Sequence, residues 1–216
     1  QQDFSQYLAV NEHTSIDEWG VGWQGGRNLH YAEILHPMQN LSLEEILKYP
    51  FPDLGQDYRY RNSLAENAKI HKEGLATAYF AGSIFETAWF MRGMEQLFAD
   101  IVTEPETSNY LLDRITDITA ASARHLAAAD VDLLILGDDI AMQTGMMMSL
   151  DMWRVTFKPR LMRVIQAARE IKPEILVFYH SDGNVWDAVP DLIDAGVDVL
   201  NPVQPECMDP AKVKDT

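Results

Sequence analysis

Two short polar clusters directly follow apolar runs of the sequence, and they carry the side chains best suited to chemistry. His180 and Asp182 come after the apolar run 175–179 and are separated by one residue. Because alternate residues of extended backbone face the same way, this spacing suits two ligands of one metal ion. In the alternative interpretation, Asp182 is the N-cap of the next helix and His180 is a hydrogen-bonded structural histidine.

Asp138 and Asp139 form the second cluster, after the run 133–137. Adjacent residues of a strand point to opposite faces, so at most one of them is expected to face the centre of a site. A carboxylate there can orient a substrate, or act as an acid or base if burial raises its pKa. We therefore predict Asp138, Asp139 and His180 as candidate catalytic residues, with a solvated pair of loop aspartates as the alternative.

The elements that position these clusters alternate between short apolar runs and helical stretches, a pattern typical of a parallel sheet. The predicted strands are 75–80, 131–136, 175–179 and 197–200. The predicted helices are 86–98, 106–129, 150–171 with an N-cap at Ser149 and a kink at Pro159, and 184–195 with a C-cap at Gly196.

In parallel α/β folds the ligand crevice lies at the carboxyl ends of the strands. The two clusters are therefore expected to converge there with Asn201 and Gln204, which we predict as polar contacts to a substrate. Met146 belongs to a methionine-rich segment that could line an apolar pocket for a bulky ligand, although packing at a loop-to-helix junction is the commoner role.

The composition excludes several partners. The 33 acidic residues outnumber the 17 basic ones, and the formal charge of −16 argues against binding nucleic acid or an anionic membrane surface. The apolar runs are far shorter than the roughly 20 residues that span a bilayer. Cys207 is the single cysteine, so no internal disulfide can form and a cytoplasmic setting is expected.

The sequence pattern changes after residue 65, which predicts a boundary between two parts of the chain. Residues 1–65 are predicted to form a loop-rich segment with short strands and a helix that starts at a capping box of Ser42 and Glu45. Residues 66–216 carry the regular alternation of strands and helices.

Several ordered motifs resemble the uroporphyrinogen decarboxylase superfamily, in the branch that contains cobalamin-dependent methyltransferases. They extend from near residue 16 to the last residues of the chain. The segments that carry the resemblance are Asp17-Glu18-Trp19-Gly20, Phe85-Glu86, Ala88-Trp89, Arg92-Gly93-Met94-Glu95, Leu136-Gly137-Asp138-Asp139-Ile140, Met147-Met148-Ser149, Met152-Trp153-Arg154, Lys158-Pro159-Arg160-Leu161, Tyr179-His180-Ser181-Asp182-Gly183-Asn184-Val185 and Leu200-Asn201-Pro202-Val203-Gln204-Pro205.

The resemblance implies an α/β fold, a TIM-type (β/α)8 barrel of which about four central βα units are readable here. In the methyltransferases of this superfamily, a His-x-Cys pair and a later cysteine hold zinc. His180 matches that histidine, and Asp182 stands at the position of the first cysteine. The function implied is a zinc-dependent methyltransferase that moves a methyl group between a small-molecule donor and a corrinoid, with the corrinoid as co-substrate or on a partner protein.

Two alternatives stay open. One is a decarboxylase (a lyase) acting on a tetrapyrrole of the porphyrin type or a related acid, in which Asp138 or Asp139 stabilises a cationic pyrrole intermediate. The other is a noncatalytic remnant that only binds a ligand.

The length of the chain gives a further expectation. A (β/α)8 barrel typically needs about 250 residues, so a chain of 216 is expected to be truncated at both ends, with further metal ligands beyond Thr216. Its open sheet edges would then favour a homo-oligomer.

Overall fold

The computed structural model describes residues 4, 6–9, 11–25 and 32–216. They belong to two compact units, one drawn from Gln1–Asp53 and Glu86–Ile115 and the other from Leu54–Phe85 and Thr116–Thr216. Among the described residues, none of the helices combines the length and the apolar character needed to cross a bilayer.

The elements are numbered in chain order. The strands are β1 (Thr14–Ile16), β2 (Gly22–Gly25), β3 (Ala32–Leu35), β4 (Ala78–Gly82), β5 (Leu133–Gly137), β6 (Ala141–Met142), β7 (Gly145–Met146), β8 (Leu176–His180) and β9 (Val199–Asn201). The α-helices are α1 (Leu43–Ile46), α2 (Ser63–Lys72), α3 (Phe85–Arg92), α4 (Met94–Thr103), α5 (Pro105–Ala128), α6 (Leu150–Thr156), α7 (Lys158–Arg169), α8 (Val189–Ala195) and α9 (Pro210–Lys214), and 3-10 turns occur at Asp57–Arg59 and Trp186–Ala188.

The first unit contains an antiparallel sheet of order β1-β2-β3. The predicted capping box is confirmed, since Ser42 and Glu45 exchange backbone and side-chain hydrogen bonds at the start of α1. The predicted helix 86–98 is divided into α3 and α4, because Gly93 has a φ of +84° and ends the first helix. The buried Arg92 guanidinium at this break donates to Asp100 Oδ2 at 2.7 Å.

The second unit contains a parallel sheet of order β4-β5-β8-β9, with helices in the connections. Four neighbouring strands that follow one another along the chain are the arrangement of consecutive βα units, so the predicted fold class, a partial (β/α)8 barrel, is confirmed. The side chains that face the helices form the core of this sheet and are at most 2% exposed; they include Leu134, Leu136, Val177 and Tyr179.

The four predicted strands are confirmed, but each ends one to two residues later than its apolar run. The reason is that backbone pairing continues past the apolar residues. Gly137 pairs with His180, and His180 pairs with Asn201, so these polar or small positions belong to the sheet itself. His180 is therefore the last residue of β8 rather than the first residue of a loop.

Two further helical predictions, both in the second unit, differ from the structure. The predicted kink in 150–171 is a complete break, since α6 ends at Thr156 and α7 places Pro159 in its first turn, where proline costs no hydrogen bond. The segment 184–195 is α-helical only from Val189, after a 3-10 turn. The predicted caps are both confirmed, Ser149 by its bond to the Met152 N–H and Gly196 by its φ of +101°.

The predicted boundary after residue 65 does not coincide with the compact units, because residues 54–65 lie in the second unit. Tyr60 explains why this segment belongs there. Its hydroxyl donates to Leu54 O at 2.8 Å and is hydrogen-bonded to Ser122 Oγ at 3.1 Å, and its ring stacks on His125 at a centroid distance of 4.6 Å.

Candidate functional site

The carboxyl ends of three neighbouring strands lie level with one another. Gly137, His180 and Asn201 are register partners on β5, β8 and β9, and so they share one face of the sheet. A Cβ on Gly137 would lie 3.1 Å from His180 Cβ, which is closer than side chains normally approach. Glycine at this position therefore leaves room for the imidazole ring.

Three potential metal ligands meet at this end of the sheet. One ligand atom from each of Asp139, His180 and Asp182 lies within 4.8 Å of the other two. His180 Nε2 is 3.8 Å from Asp139 Oδ1 and 4.0 Å from Asp182 Oδ1. The three side chains are between 37% and 54% exposed, so a ligand can reach them from solvent.

Asn201 fixes the orientation of the imidazole ring. Its side-chain oxygen lies 3.0 Å from His180 Nδ1 and accepts a hydrogen bond from it. Because an amide oxygen only accepts, this contact is made by the tautomer with the proton on Nδ1, which leaves the Nε2 lone pair on the side of the two carboxylates. Asn201, predicted as a substrate contact, is placed here as a partner of the histidine.

The loop that carries Asp182 is held at each of its residues. Ser181 is fully buried, and its hydroxyl accepts a hydrogen bond from the Ile140 N–H at 3.2 Å. The Asp182 N–H donates to Asp139 Oδ1 at 2.7 Å, and the Gly183 N–H donates to Gln204 Oε1 at 2.6 Å. Gln204, also predicted as a substrate contact, thus supports the loop.

A short hairpin of β6 and β7 lies against the same loop. The Asn184 N–H donates to Met142 O at 2.8 Å, and a Cβ on Gly183 would lie 2.7 Å from that carbonyl oxygen. Gly183 also has a φ of +83°, which side chains rarely adopt. Met146, the predicted contact to an apolar ligand, is half-buried in this hairpin opposite Ala141.

The two adjacent aspartates have different surroundings, as the alternation of a strand predicts. Asp138 is 6% exposed, and its Oδ2 accepts a hydrogen bond from the Ile84 N–H at 3.2 Å. It lines a small interior cavity with residues that include Thr119, Leu161 and Tyr179. Asp139 instead lies beside His180. Of the two predicted catalytic carboxylates, only Asp139 joins the cluster.

The sequence alone did not indicate Asp139 as a third ligand beside His180 and Asp182, nor the supporting role of Ser181. The alternative interpretation of Asp182 as the N-cap of the next helix is wrong. The 3-10 turn that follows has Val185 at its N-cap position and no side-chain cap, and the next α-helix begins at Val189. Asp182 therefore does not cap a helix.

The cluster has the donor atoms and nearly the spacing of a zinc site. Zinc binds imidazole nitrogen and carboxylate oxygen at about 2.0–2.2 Å, so tetrahedral ligands lie about 3.3–3.5 Å apart. The two separations from His180 Nε2, 3.8 and 4.0 Å, would have to shorten by roughly half an ångström. The two carboxylates, which lie within 4.8 Å of each other, would also have to approach. Three protein ligands with one position left for a substrate are typical of catalytic zinc.

Comparison with known structures finds the same fold in a methyltransferase from Methanosarcina mazei. The two share 18% sequence identity and superpose with a TM-score of 0.66 over 92% of this chain. The chain spans 57% of the length of that methyltransferase. A comparison with curated proteins gave no match.

The sequence also matches a family model. Residues 36–213 fit the model described as uroporphyrinogen decarboxylase (URO-D), and this match includes part of the first unit, almost all of the second unit and every residue of the candidate site. The chain therefore belongs to the uroporphyrinogen decarboxylase family.

Proposed function

We propose that this chain carries the metal site of a zinc-dependent methyltransferase that moves a methyl group to or from a corrinoid. The observation that carries the proposal is the convergence of Asp139, His180 and Asp182 at the ends of adjacent parallel strands. The shared fold with a methyltransferase supports the same reaction class.

The residues of the site would divide the work. His180, Asp139 and Asp182 would hold the ion, while Asn201 and Gln204 keep the histidine and the Asp182 loop in place. When bound, zinc would supply a positive charge that polarises the atom carrying the methyl group or activates the accepting thiol. Met146 and the rest of the hairpin would bound the space in which the donor lies.

The ligand set favours one direction of the reaction. Carboxylate oxygen is a harder ligand than cysteine thiolate and donates less charge to the metal. An ion held by one neutral imidazole and two carboxylates is therefore more electrophilic than one held by thiolates. Such an ion suits withdrawal of electrons from an ether or amine that gives up its methyl group, with the corrinoid, free or on a partner protein, as acceptor.

Zinc binding is the first test. We expect the purified chain, stripped with a chelator and resupplied with zinc, to bind it stoichiometrically by mass spectrometry and calorimetry. His180→Ala should abolish binding, and Asp139→Asn and Asp182→Asn should each weaken it. The matched control is His13→Ala, because His13 is a surface histidine with a 69% exposed side chain. Unchanged zinc stoichiometry in His180→Ala would overturn the proposal.

Activity separates the proposal from its alternatives. Demethylation of ethers or amines, followed by the spectrum of added cobalamin, tests the methyltransferase directly. A zinc-free chain that releases carbon dioxide from uroporphyrinogen would instead support a decarboxylase, with Asp139 as the carboxylate available at the rim because Asp138 is buried against Ile84. Ligand binding without either reaction would support a noncatalytic remnant.

A further inference from the structure

We infer that Asn201 is a positioning residue that selects the Nδ1–H tautomer of His180 and thereby directs the Nε2 lone pair toward Asp139 and Asp182. The inference concerns the protein without metal. It deepens the proposed function and rests on it only for the consequence for zinc binding.

The contact between the two side chains follows from the register of the sheet. Asn201 is the last residue of β9 and the direct partner of His180 on β8. The backbone fixes this register just beyond the pair, because the Ser181 N–H donates to Asn201 O at 2.8 Å. The amide and the imidazole therefore lie side by side on one face, and a side-chain oxygen reaches Nδ1 at 3.0 Å.

Within the described part of the chain, this is the only hydrogen bond of the His180 ring. The carboxylate oxygens near Nε2 lie 3.8 and 4.0 Å away, beyond the range of a hydrogen bond. Nδ1 therefore lies beside an acceptor, whereas Nε2 has two carboxylates close by but, among the residues that the structure describes, no acceptor within hydrogen-bonding range.

The surroundings make this selection necessary. A neutral histidine free in water prefers the Nε2–H tautomer, and two carboxylates beside Nε2 would reinforce that preference by attracting its proton. In that tautomer the nitrogen nearest Asp139 and Asp182 has no lone pair to offer a metal. Asn201 opposes both effects by accepting a hydrogen bond that only the Nδ1–H form can donate.

The consequence for metal binding can be estimated. Outer groups that orient a metal-binding histidine typically account for about 10–100-fold in metal affinity. Asn201→Leu keeps the approximate volume of the side chain and removes the acceptor, so we expect a loss of zinc affinity in this range. Asn201→Asp keeps an acceptor oxygen and should keep the tautomer.

The test is nitrogen NMR of histidine-labelled, metal-free protein at alkaline pH, because the nitrogen chemical shifts distinguish the two neutral tautomers from each other and from the protonated ring. The signals of His180 are assigned by their loss in His180→Gln. We expect Nδ1–H in the wild type and in Asn201→Asp, and Nε2–H in Asn201→Leu. Asn184→Ala is the control, because this amide on the same loop accepts from the Trp186 N–H instead.

The outcomes separate this inference from the proposed function. An Nε2–H tautomer in the wild type, or an unchanged Nδ1–H tautomer in Asn201→Leu, would overturn the role of Asn201. If Asn201→Leu does not fold, Asn201→Ala and the wild-type spectrum still give the tautomer. A tautomer that changes as expected in a chain that binds no zinc would support the positioning role and refute the metal site.

Discussion

Replacing Gly183 by alanine tests whether the turn after β8 positions the candidate site. Gly183 has a φ of +83°, and an added Cβ would lie 2.7 Å from Met142 O and 2.8 Å from Ala141 O. Both atoms are backbone atoms of the hairpin, so the contact cannot be relieved by turning a flexible side chain. Either the loop that carries Asp182 or the hairpin must move.

The chain offers a control that separates backbone strain from the steric clash. Gly74 has a φ of +74°, and a Cβ added there would meet no atom within 4 Å. Gly74→Ala should therefore cost only the left-handed conformation, about 1–2 kcal/mol of the free energy of unfolding. Gly183→Ala carries the same strain together with overpacking, which adds about 1–3 kcal/mol, so we expect a total loss of about 2–5 kcal/mol.

Urea denaturation of both variants measures these losses, and zinc calorimetry measures their effect on the site. We expect Gly183→Ala to weaken zinc binding, because Asp182 and the bond from the Gly183 N–H to Gln204 move with the loop. Gly74→Ala should bind zinc as the wild type does. Equal losses of stability in the two variants, or unchanged zinc affinity in Gly183→Ala, would refute the reasoning.

Two further predictions concern buried polar groups of the second unit. Hydrogen bonds from Arg154 and, to a smaller extent, from Lys158 lower the pKa of Asp191. The contribution of Asp191 to the free energy of unfolding is therefore complete above the ordinary aspartate pKa of about 3.9. It is lost as the pH falls through the lower pKa of the folded state. Asp191→Asn should lower the free energy of unfolding by about 2 kcal/mol at neutral pH and remove that dependence on acid pH. If urea unfolding gave the same pH profile for the wild type and for Asp191→Asn, the prediction would be contradicted. Thr119 is 1% exposed, and its hydroxyl has no hydrogen-bond partner within the described residues. Thr119→Val should therefore raise the free energy of unfolding by about 1 kcal/mol, whereas a loss of stability would mean that the hydroxyl is hydrogen-bonded in solution.

The sequence was most informative where a local pattern decides the structure. Apolar runs predicted the four parallel strands, and three helix caps were predicted from Ser42, Ser149 and Gly196. Each of these signals depends on only a few neighbouring residues. The breaks at Gly93 and before Pro159 were harder to predict, since a helical pattern can continue through a kink. The bounds of the two compact units could not be predicted from the sequence, because contacts such as that of Tyr60 with Ser122 join residues far apart in the chain.

The choice between Asp138 and Asp139 shows where sequence reasoning stops. Alternation along β5 places Leu134, Leu136 and Asp138 on the side of the buried core and Asp139 on the other side. In a parallel sheet both faces of a strand are apolar. The run 133–137 therefore does not indicate whether its even-numbered or its odd-numbered residues face the buried core. The structure resolves this through the pairing of Gly137 with His180, which puts the residue two positions after Gly137 next to the imidazole. The third ligand of the candidate site is thus determined by strand register, a long-range property, although the aspartate itself was visible in the sequence.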